Sequence, residues 1–345
     1  MTKVGIAGAT GYAGAELIRL LAGHPEVELT VLTSRQYAGT RIHEIYPSFT
    51  GVVELDCEAY DPDAMCDRAD IVFTALPHTI PMEIVPALAA RGKRVIDLSA
   101  DFRFSDPAVY ETVYTRHTAK DLAASGVYGL CEVFSEEIRS AGIVGNPGCY
   151  PTSVLLPLVP LLREKLIDPS TIIADSKSGV SGAGRSPSVV SLFSEVAESF
   201  KAYKVASHRH EPEMEAVLSR IANDPVDITF VPHLVPMSRG METTVYADLT
   251  GDFSDADIHS CLSSYYDGRR FVRVSGSGRP PDTRSVRGTN YCDIAFVVDR
   301  SRRRLILLSV IDNLVKGAAG QAVQNMNIML QIPEDTGLGQ MPYPL

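Results

Sequence analysis

The chain has 345 residues, 45% hydrophobic and 21% charged, with 42 acidic against 32 basic side chains and a formal net charge of −10. That length predicts two domains, and the acidic balance argues against a nucleic-acid or anionic-membrane partner, while leaving room for a local phosphate pocket. No apolar run approaches the ~18 residues of a membrane span, no signal-peptide pattern opens the chain, and six scattered cysteines show neither CxxC pairing nor zinc-ligand spacing, so we expect a cytoplasmic protein with free thiols and no metal.

In chain order, residues 3–7 form a short apolar run that ends in Gly8-Ala9-Thr10-Gly11-Tyr12-Ala13-Gly14. Residues 15–22 have helical spacing, with Leu17, Ile18, Leu20 and Leu21 apolar and Glu16 and Arg19 outward. Residues 27–32 read as a second strand. Strand, glycine loop, helix and strand make the first unit of a doubly wound sheet, with a pyrophosphate at the helix N-terminus. The glycines are spaced GxxGxxG rather than GxGxxG. At the end of the second strand, where NAD sites usually carry an acid, stand Ser34 and Arg35. Hydroxyl and guanidinium suit a 2′-phosphate, so these residues predict NADP; the alternative is that Arg35 is a solvated loop residue.

Residues 71–76 form a buried strand ending at Leu76-Pro77-His78-Thr79, residues 84–90 a helix, and residues 94–98 the next strand. Strand C-termini face the ligand crevice in such sheets, which makes Leu76, Pro77 and the stretch Ser99-Ala100-Asp101 candidate edges for cofactor or substrate. His78 reads as an ordinary loop histidine. Residues 102–122 are polar and irregular, and Ile143-Val144 is a short strand.

That strand delivers Gly145-Asn146-Pro147-Gly148-Cys149-Tyr150-Pro151-Thr152, followed by an apolar run with the character of a buried helix. A thiol at a helix N-terminus is favoured as thiolate by the dipole and the first-turn N–H groups. The same groups can hold an oxyanion. The plainer reading is a buried structural cysteine.

Beyond this helix the pattern changes. Residues 172–176 form a strand running into the glycine- and serine-rich 177–185 loop, and further strands are read at 228–232, 243–247, 271–274, 293–298 and 305–311. Arg302-Arg303-Arg304 marks a hairpin tip. Strands at this spacing with few helices predict an α+β domain with a mostly antiparallel sheet. Residues 313–330 read as a closing amphipathic helix packing back onto the first domain. The boundaries are therefore 1–148, completed by 313–345, for an NADP-binding domain, and 149–312 for a catalytic, substrate and oligomerisation domain. The fold class is α/β: a Rossmann-type domain plus an α+β catalytic domain.

His208-Arg209-His210-Glu211-Pro212-Glu213 is the richest titratable cluster. It lacks a third His or Cys to complete a metal site. An acid/base imidazole beside a carboxylate asks for less, and paired with Cys149, His210 becomes a candidate general acid/base. Either histidine alone also fits a surface role. Arg185, Arg209 and Arg239 are candidate clamps for a carboxylate or phosphate.

The motifs at 8–14, 76–78, 97–103, 128–130, 145–152, 208–213, 287–290 and 316–322 together resemble the type 1 N-acetyl-γ-glutamyl-phosphate reductase family of arginine biosynthesis, in the aspartate-semialdehyde dehydrogenase superfamily. Cys131 departs from the proline common there. The resemblance implies NADPH held by Gly8, Thr10, Gly11, Tyr12, Ala13 and Gly14, with Ser34 and Arg35 near the 2′-phosphate and Ser181, Gly182 and Asn290 near the nicotinamide. It implies Cys149 as nucleophile, His210 as acid/base with His208 as second choice, and Glu213 supporting them or contacting substrate. It further implies a homo-oligomer, dimer or tetramer. The expected reaction is NADPH-dependent reduction of N-acetyl-γ-glutamyl phosphate to the semialdehyde and phosphate, through a thioacyl enzyme. The rivals are a reductase for another acyl phosphate and a non-catalytic nucleotide sensor.

Overall fold

The computed structural model describes residues 1–343. It divides into two compact units, one of Met1–Pro147 with Ala318–Gly339, the other of Gly148–Gly317 with residues 340–343.

The first unit is built on β1 (Thr2–Ala7), β2 (Val27–Thr33), β3 (Cys57–Glu58), β4 (Ile71–Thr74), β5 (Arg94–Asp97), β6 (Val127–Tyr128) and β7 (Ile143–Gly145). Its sheet is parallel throughout, in the order β3-β2-β1-β4-β5-β7-β6. Val4, Ile6, Ile71, Val72, Phe73, Val95 and Ile96 are buried, the continuous apolar strand composition that a sheet covered on both faces demands. Ala7, Thr33, Thr74, Asp97 and Gly145 lie in register at one edge. The strand order reverses at β1, so the β1 loop sits at the switch point where such sheets bind ligands. The short strands β3 and β6 have too few residues for a period to be read from sequence. Glu16, expected outward, is buried, and its carboxylate takes Arg19 Nε at 2.9 Å.

The end of the chain corrects the expectation of one amphipathic helix over 313–330. A π-turn occupies Val315–Ala319, and the α-helix is Gly320–Leu330. That helix is buried on every side, polar residues included. Its amide N–H groups find specific partners: Gln321 Nε2 and Asn325 Nδ2 donate to the Gly129 carbonyl at 3.0 and 2.8 Å, and Gln324 Nε2 donates to Glu132 at 2.9 Å. Buried amides cost little when hydrogen-bonded, which is how a polar sequence ends inside.

The second unit carries β8 (Ile173–Gly179), β9 (Lys201–Ala202), β10 (Thr229–Val235), β11 (Met241–Asp248), β12 (Val272–Val274), β13 (Cys292–Asp299) and β14 (Arg304–Ile311), ordered β12-β13-β14-β11-β8-β10-β9. The β8–β10 and β12–β13 pairs run parallel and the others antiparallel. Helix Cys149–Arg163 packs on this sheet and is flanked by the helices Glu211–Ala222 and Asp255–Tyr265. Every residue of it from Tyr150 to Leu162 is buried. Pro160 cannot donate to the Leu156 carbonyl, and the Tyr266 hydroxyl donates to that carbonyl instead, at 2.5 Å. Two internal prolines are thus tolerated because the helix is held by its surroundings.

Candidate active site

In the first unit, Gly8 has φ +92°, and a Cβ there would lie 2.3 Å from the Ala75 carbonyl oxygen; one at Gly14 would lie 2.3 Å from the Gly8 oxygen. Both glycines are demanded by the chain's own packing. Gly11 is different: it is the N-cap of helix Tyr12–Leu21, and a Cβ on it would meet nothing closer than 3.7 Å. Its bareness leaves the helix N-terminus open to a bulky anion. Thr10 Oγ1 and Ser34 Oγ lie 2.8 Å apart, and Tyr46 donates to the Thr10 carbonyl at 2.8 Å. Arg35 is exposed directly after them. Leu76 packs beside Gly8 and Pro77 is exposed. These residues fit a dinucleotide with a charged ribose.

The His78 Nδ1 accepts the Ala100 N–H at 3.0 Å, a loop-holding role. Asp97 and Asp101 are fully buried. Asp101 accepts the N–H groups of Thr79 and Met82 at 2.9 and 3.1 Å, and the Tyr110 hydroxyl at 2.9 Å. Burial and the neighbouring Asp101 push the Asp97 carboxyl up to about 6. Arg103 Nε donates to the Asn146 carbonyl at 2.7 Å. Asn146 in turn donates its own N–H to the Asp97 carbonyl at 2.7 Å and its Nδ2 to the Ala318 carbonyl at 3.0 Å. The 97–103 stretch therefore frames the turn that leads to Cys149. Its sequence reading as a ligand edge did not foresee this structural work.

In the second unit, Cys149 is the first residue of its helix, with Gly148 as N-cap, and it is partly exposed. Glu213 is 1% exposed, and its Oε1 accepts the Gly148 N–H at 2.9 Å. A carboxylate from one helix thus fixes the backbone from which another launches the thiol. His210 caps helix Glu211–Ala222. Its ring lies 5.9 Å from that of Tyr150, the residue after the thiol, and 4.8 Å from that of His208. The Tyr150 hydroxyl is 3.0 Å from the Tyr203 hydroxyl. Burial raises both phenols, Tyr203 to about 12.

His208 sits among Tyr150, Tyr203 and Phe230. Its Nδ1 accepts the His210 N–H at 3.1 Å, which places its proton on Nε2. Burial, aided by Lys204 and Arg209, pushes its pKa down to about 4. So the two histidines differ: His208 is a neutral prop for the backbone of His210.

Ser181 Oγ accepts from Asn313 Nδ2 at 2.9 Å, while Asn313 Oδ1 accepts the Gly240 N–H at 2.8 Å. Gly182 is exposed beside Ser181, and Asn290 is fully buried. Asp312 is buried and binds Arg239 Nε at 3.1 Å, the Gly288 N–H at 2.7 Å and the Leu314 N–H at 2.8 Å. A cavity of about 470 Å³ is lined by Ser238, Arg239, Thr283, Arg284, Arg287 and Gly288. Arg185 and Arg209 are not in its lining.

Gly317 was missed as a site residue. A Cβ there would sit 2.7 Å from Cys149 Cβ and 3.2 Å from its Cα. Its N–H bonds the Asp312 carbonyl at 3.0 Å across the π-turn, the kind of helix irregularity found at functional sites. The small-residue run 317–320 was legible, but only as helix packing. Among the described residues, no group of His, Cys, Asp and Glu could hold a metal, and no helix is long and apolar enough to cross a membrane.

Comparison with known proteins places this geometry. Residues 3–141 match the semialdehyde dehydrogenase NAD-binding domain and residues 149–313 the semialdehyde dehydrogenase dimerisation domain. The chain is 55% identical to the N-acetyl-γ-glutamyl-phosphate reductase of Desulforapulum autotrophicum, covering 100% of both, and 53% identical to that of Geobacter metallireducens, covering 99% of both. Its fold is similar to aspartate semialdehyde dehydrogenase II of Vibrio cholerae (TM-score 0.74, 19% identity, 96% and 98% coverage). It is also similar to the Candida albicans aspartate semialdehyde dehydrogenase solved with NADP (TM-score 0.73, 16% identity, 96% and 98% coverage).

Proposed function

The chain belongs to the N-acetyl-γ-glutamyl-phosphate reductase family, and on that premise we propose how its residues carry out NADPH-dependent reduction of N-acetyl-γ-glutamyl phosphate to the semialdehyde and phosphate, a step of arginine biosynthesis. The observation that carries the reading is Cys149 heading a buried fifteen-residue helix, with the His210 turn packed on the very next residue.

The helix N-terminus favours the Cys149 thiolate. The thiolate attacks the acyl carbon, the carbon–oxygen bond to phosphate breaks, and phosphate leaves with the bonding pair. A thioester on Cys149 remains. The Gly8–Gly14 loop would hold NADPH, with Ser34 and Arg35 toward its 2′-phosphate and Leu76 and Pro77 beside it, and the bound cofactor would supply the hydride for the acyl group. The first-turn N–H groups hold the developing oxyanion, and His210 as imidazolium protonates it. The hydroxyl proton then returns to His210 as the carbon–sulfur bond breaks, releasing aldehyde and restoring the thiolate. Glu213 holds Gly148 and so aims the nucleophile. His208 is the weaker choice for acid/base, since a value of about 4 keeps it neutral. The arginine-lined cavity suits the anionic ends of the substrate, with Arg239 the one earlier candidate that lines it. Six free cysteines fit a cytoplasmic setting.

The test runs the reaction backward, avoiding the labile acyl phosphate: phosphate-dependent reduction of NADP⁺ with N-acetylglutamate semialdehyde against aspartate semialdehyde. Strong turnover with the acetylated aldehyde, lost without phosphate, is expected. Turnover with aspartate semialdehyde alone would move the specificity elsewhere.

A further inference from the structure

Asp312 takes no part in the steps above, yet it is a fully buried carboxylate of the second unit. Such a group is costly unless it is paired and hydrogen-bonded. Its place follows from the sheet. Ile311, the last residue of β14, is in register with Met241 of β11 on one side and Cys292 of β13 on the other. One residue further on, Asp312 lands between the chain entering β11 and the chain entering β13. There it accepts from five N–H donors. Arg239 closes a fork on it, Nε donating to Oδ2 at 3.1 Å and Nη2 to Oδ1 at 3.2 Å. The Gly288 N–H donates to Oδ2 at 2.7 Å, and the Leu314 and Val315 N–H groups donate to Oδ1 at 2.8 and 3.2 Å.

These bonds lead in two directions. Arg239 and Gly288 both line the arginine cavity, so one carboxylate fixes a guanidinium and a piece of backbone in its wall. Leu314 and Val315 enter the π-turn, and the Asp312 carbonyl accepts the Gly317 N–H at 3.0 Å. Gly317 is the residue whose Cβ would collide with Cys149. Asp312 thus sets the path of the turn that closes against the nucleophile. Holding that turn needs acceptors only; the charge-assisted fork is what ties it to the cavity.

We propose that Asp312 is a positioning residue with two arms: it aims Arg239 in the cavity wall, and it seats the Gly317 turn against Cys149. The first arm rests on the reading of that cavity as the place of the substrate's anionic ends. The second does not, and it can be tested without turnover. Arg239→Gln removes the cation of Asp312. Arg284→Gln removes a cation from the same cavity that is paired with Asp282 instead. Alkylation by iodoacetamide is followed at the Cys149 peptide by mass spectrometry, at a pH where the thiol is fully ionised. Arg239→Gln should slow it about fivefold, since the loosened turn no longer fixes the helix start, and Arg284→Gln should leave it unchanged. Equal rates in the two variants overturn the link to Cys149. Both variants keep the carboxylate, so they decide this arm even if Asp312→Asn fails to fold.

The first arm is read in the backward reaction. Asp312→Asn keeps the side chain's shape but loses its charge and turns an N–H₂ group toward donors. It should lower kcat and raise the KM for one anionic substrate, phosphate or semialdehyde, about tenfold, with the KM for NADP⁺ unmoved. In an Arg239→Gln background the same change should lower kcat again and add nothing to that KM, because the group it acts through is gone. Additive KM effects overturn the first arm. Unmoved KM values with slowed alkylation also overturn the first arm alone, and place the error in the reading of the cavity. A carboxylate with only a folding role lowers kcat through the fraction of folded protein and moves neither KM nor the alkylation rate of the rest; that result overturns both arms.

Discussion

In the first unit the candidate cofactor site is made of backbone, whereas in the second the candidate catalytic site is made of side chains held by other side chains. Gly8, Gly11 and Gly14 contribute by what they lack, and two of them leave no room for a Cβ. Cys149 and His210 contribute functional atoms, and their placement depends on bonds between distant segments, such as the one from Gly148 to Glu213. A site of the first kind fails when atoms are added to it. A site of the second kind fails when a supporting bond goes. The two units should therefore break in different observables: nucleotide preference in the first, turnover at unchanged nucleotide affinity in the second.

The largest effect belongs to the nucleophile. Cys149→Ser should lower kcat by at least about 10³-fold, because a hydroxyl at this place is a far weaker nucleophile than a thiolate. Its NADPH affinity, measured by fluorescence titration, should match that of the unaltered protein. Retained turnover would remove Cys149 from the mechanism and leave the comparison with one site, not two.

Gly317→Ala adds only a methyl group, yet its Cβ would fall 2.7 Å from that of Cys149. The helix start must then shift, and a misplacement of about 1 Å costs on the order of 10²-fold in turnover. Both kcat and the rate of Cys149 alkylation by iodoacetamide should fall, with nucleotide affinity kept. Unchanged alkylation and kcat would show that the helix start has slack, and the second site would then tolerate added atoms better than the first.

The same division explains what could be read in the sequence. The glycine loop is local, so its spacing alone carries the geometry, and the parallel sheet announces itself in continuous apolar strands. The thiol was legible because a turn and a helix start are also local. The props were not. The residues alone leave Glu213 one acid among several and His208 equal to His210; the family resemblance ranks them, and the physical grounds appear only when the fold sets Glu213 under Gly148 and buries His208 among Tyr150, Tyr203 and Phe230. The helix at 320–330 was misjudged as amphipathic because its amides find partners nearly two hundred residues away in sequence, such as Gly129 and Glu132. No period records such bonds.

In the first unit Arg35→Asp should turn preference toward NADH. An exposed arginine paired with phosphate is worth about 1.4 kcal/mol, so the NADPH/NADH ratio of kcat/KM should drop about tenfold or more once an acid repels the 2′-phosphate. The value of kcat with saturating NADPH should hardly move. A fall in kcat with an unchanged ratio would put Arg35 in the wrong class.

His208→Asn should disturb turnover least, since the Asn Oδ1 can accept the His210 N–H that Nδ1 now accepts. Its signature is in stability against pH. Burial holds the imidazole at about 4 in the folded chain, against about 6.5 when unfolded. Between those values the unfolded chain binds more protons, so stability falls as pH drops from about 6.5 toward 4. Allowing for its partial exposure, the loss from this one group is about 2 kcal/mol. Removing the imidazole should flatten the acid limb of a urea-midpoint profile by that amount, while kcat stays within about threefold of the original. If the limb keeps its slope, His208 is already protonated in the folded protein. The neutral prop and the acid/base would then no longer be distinguishable, and the choice of His210 would lose its physical ground.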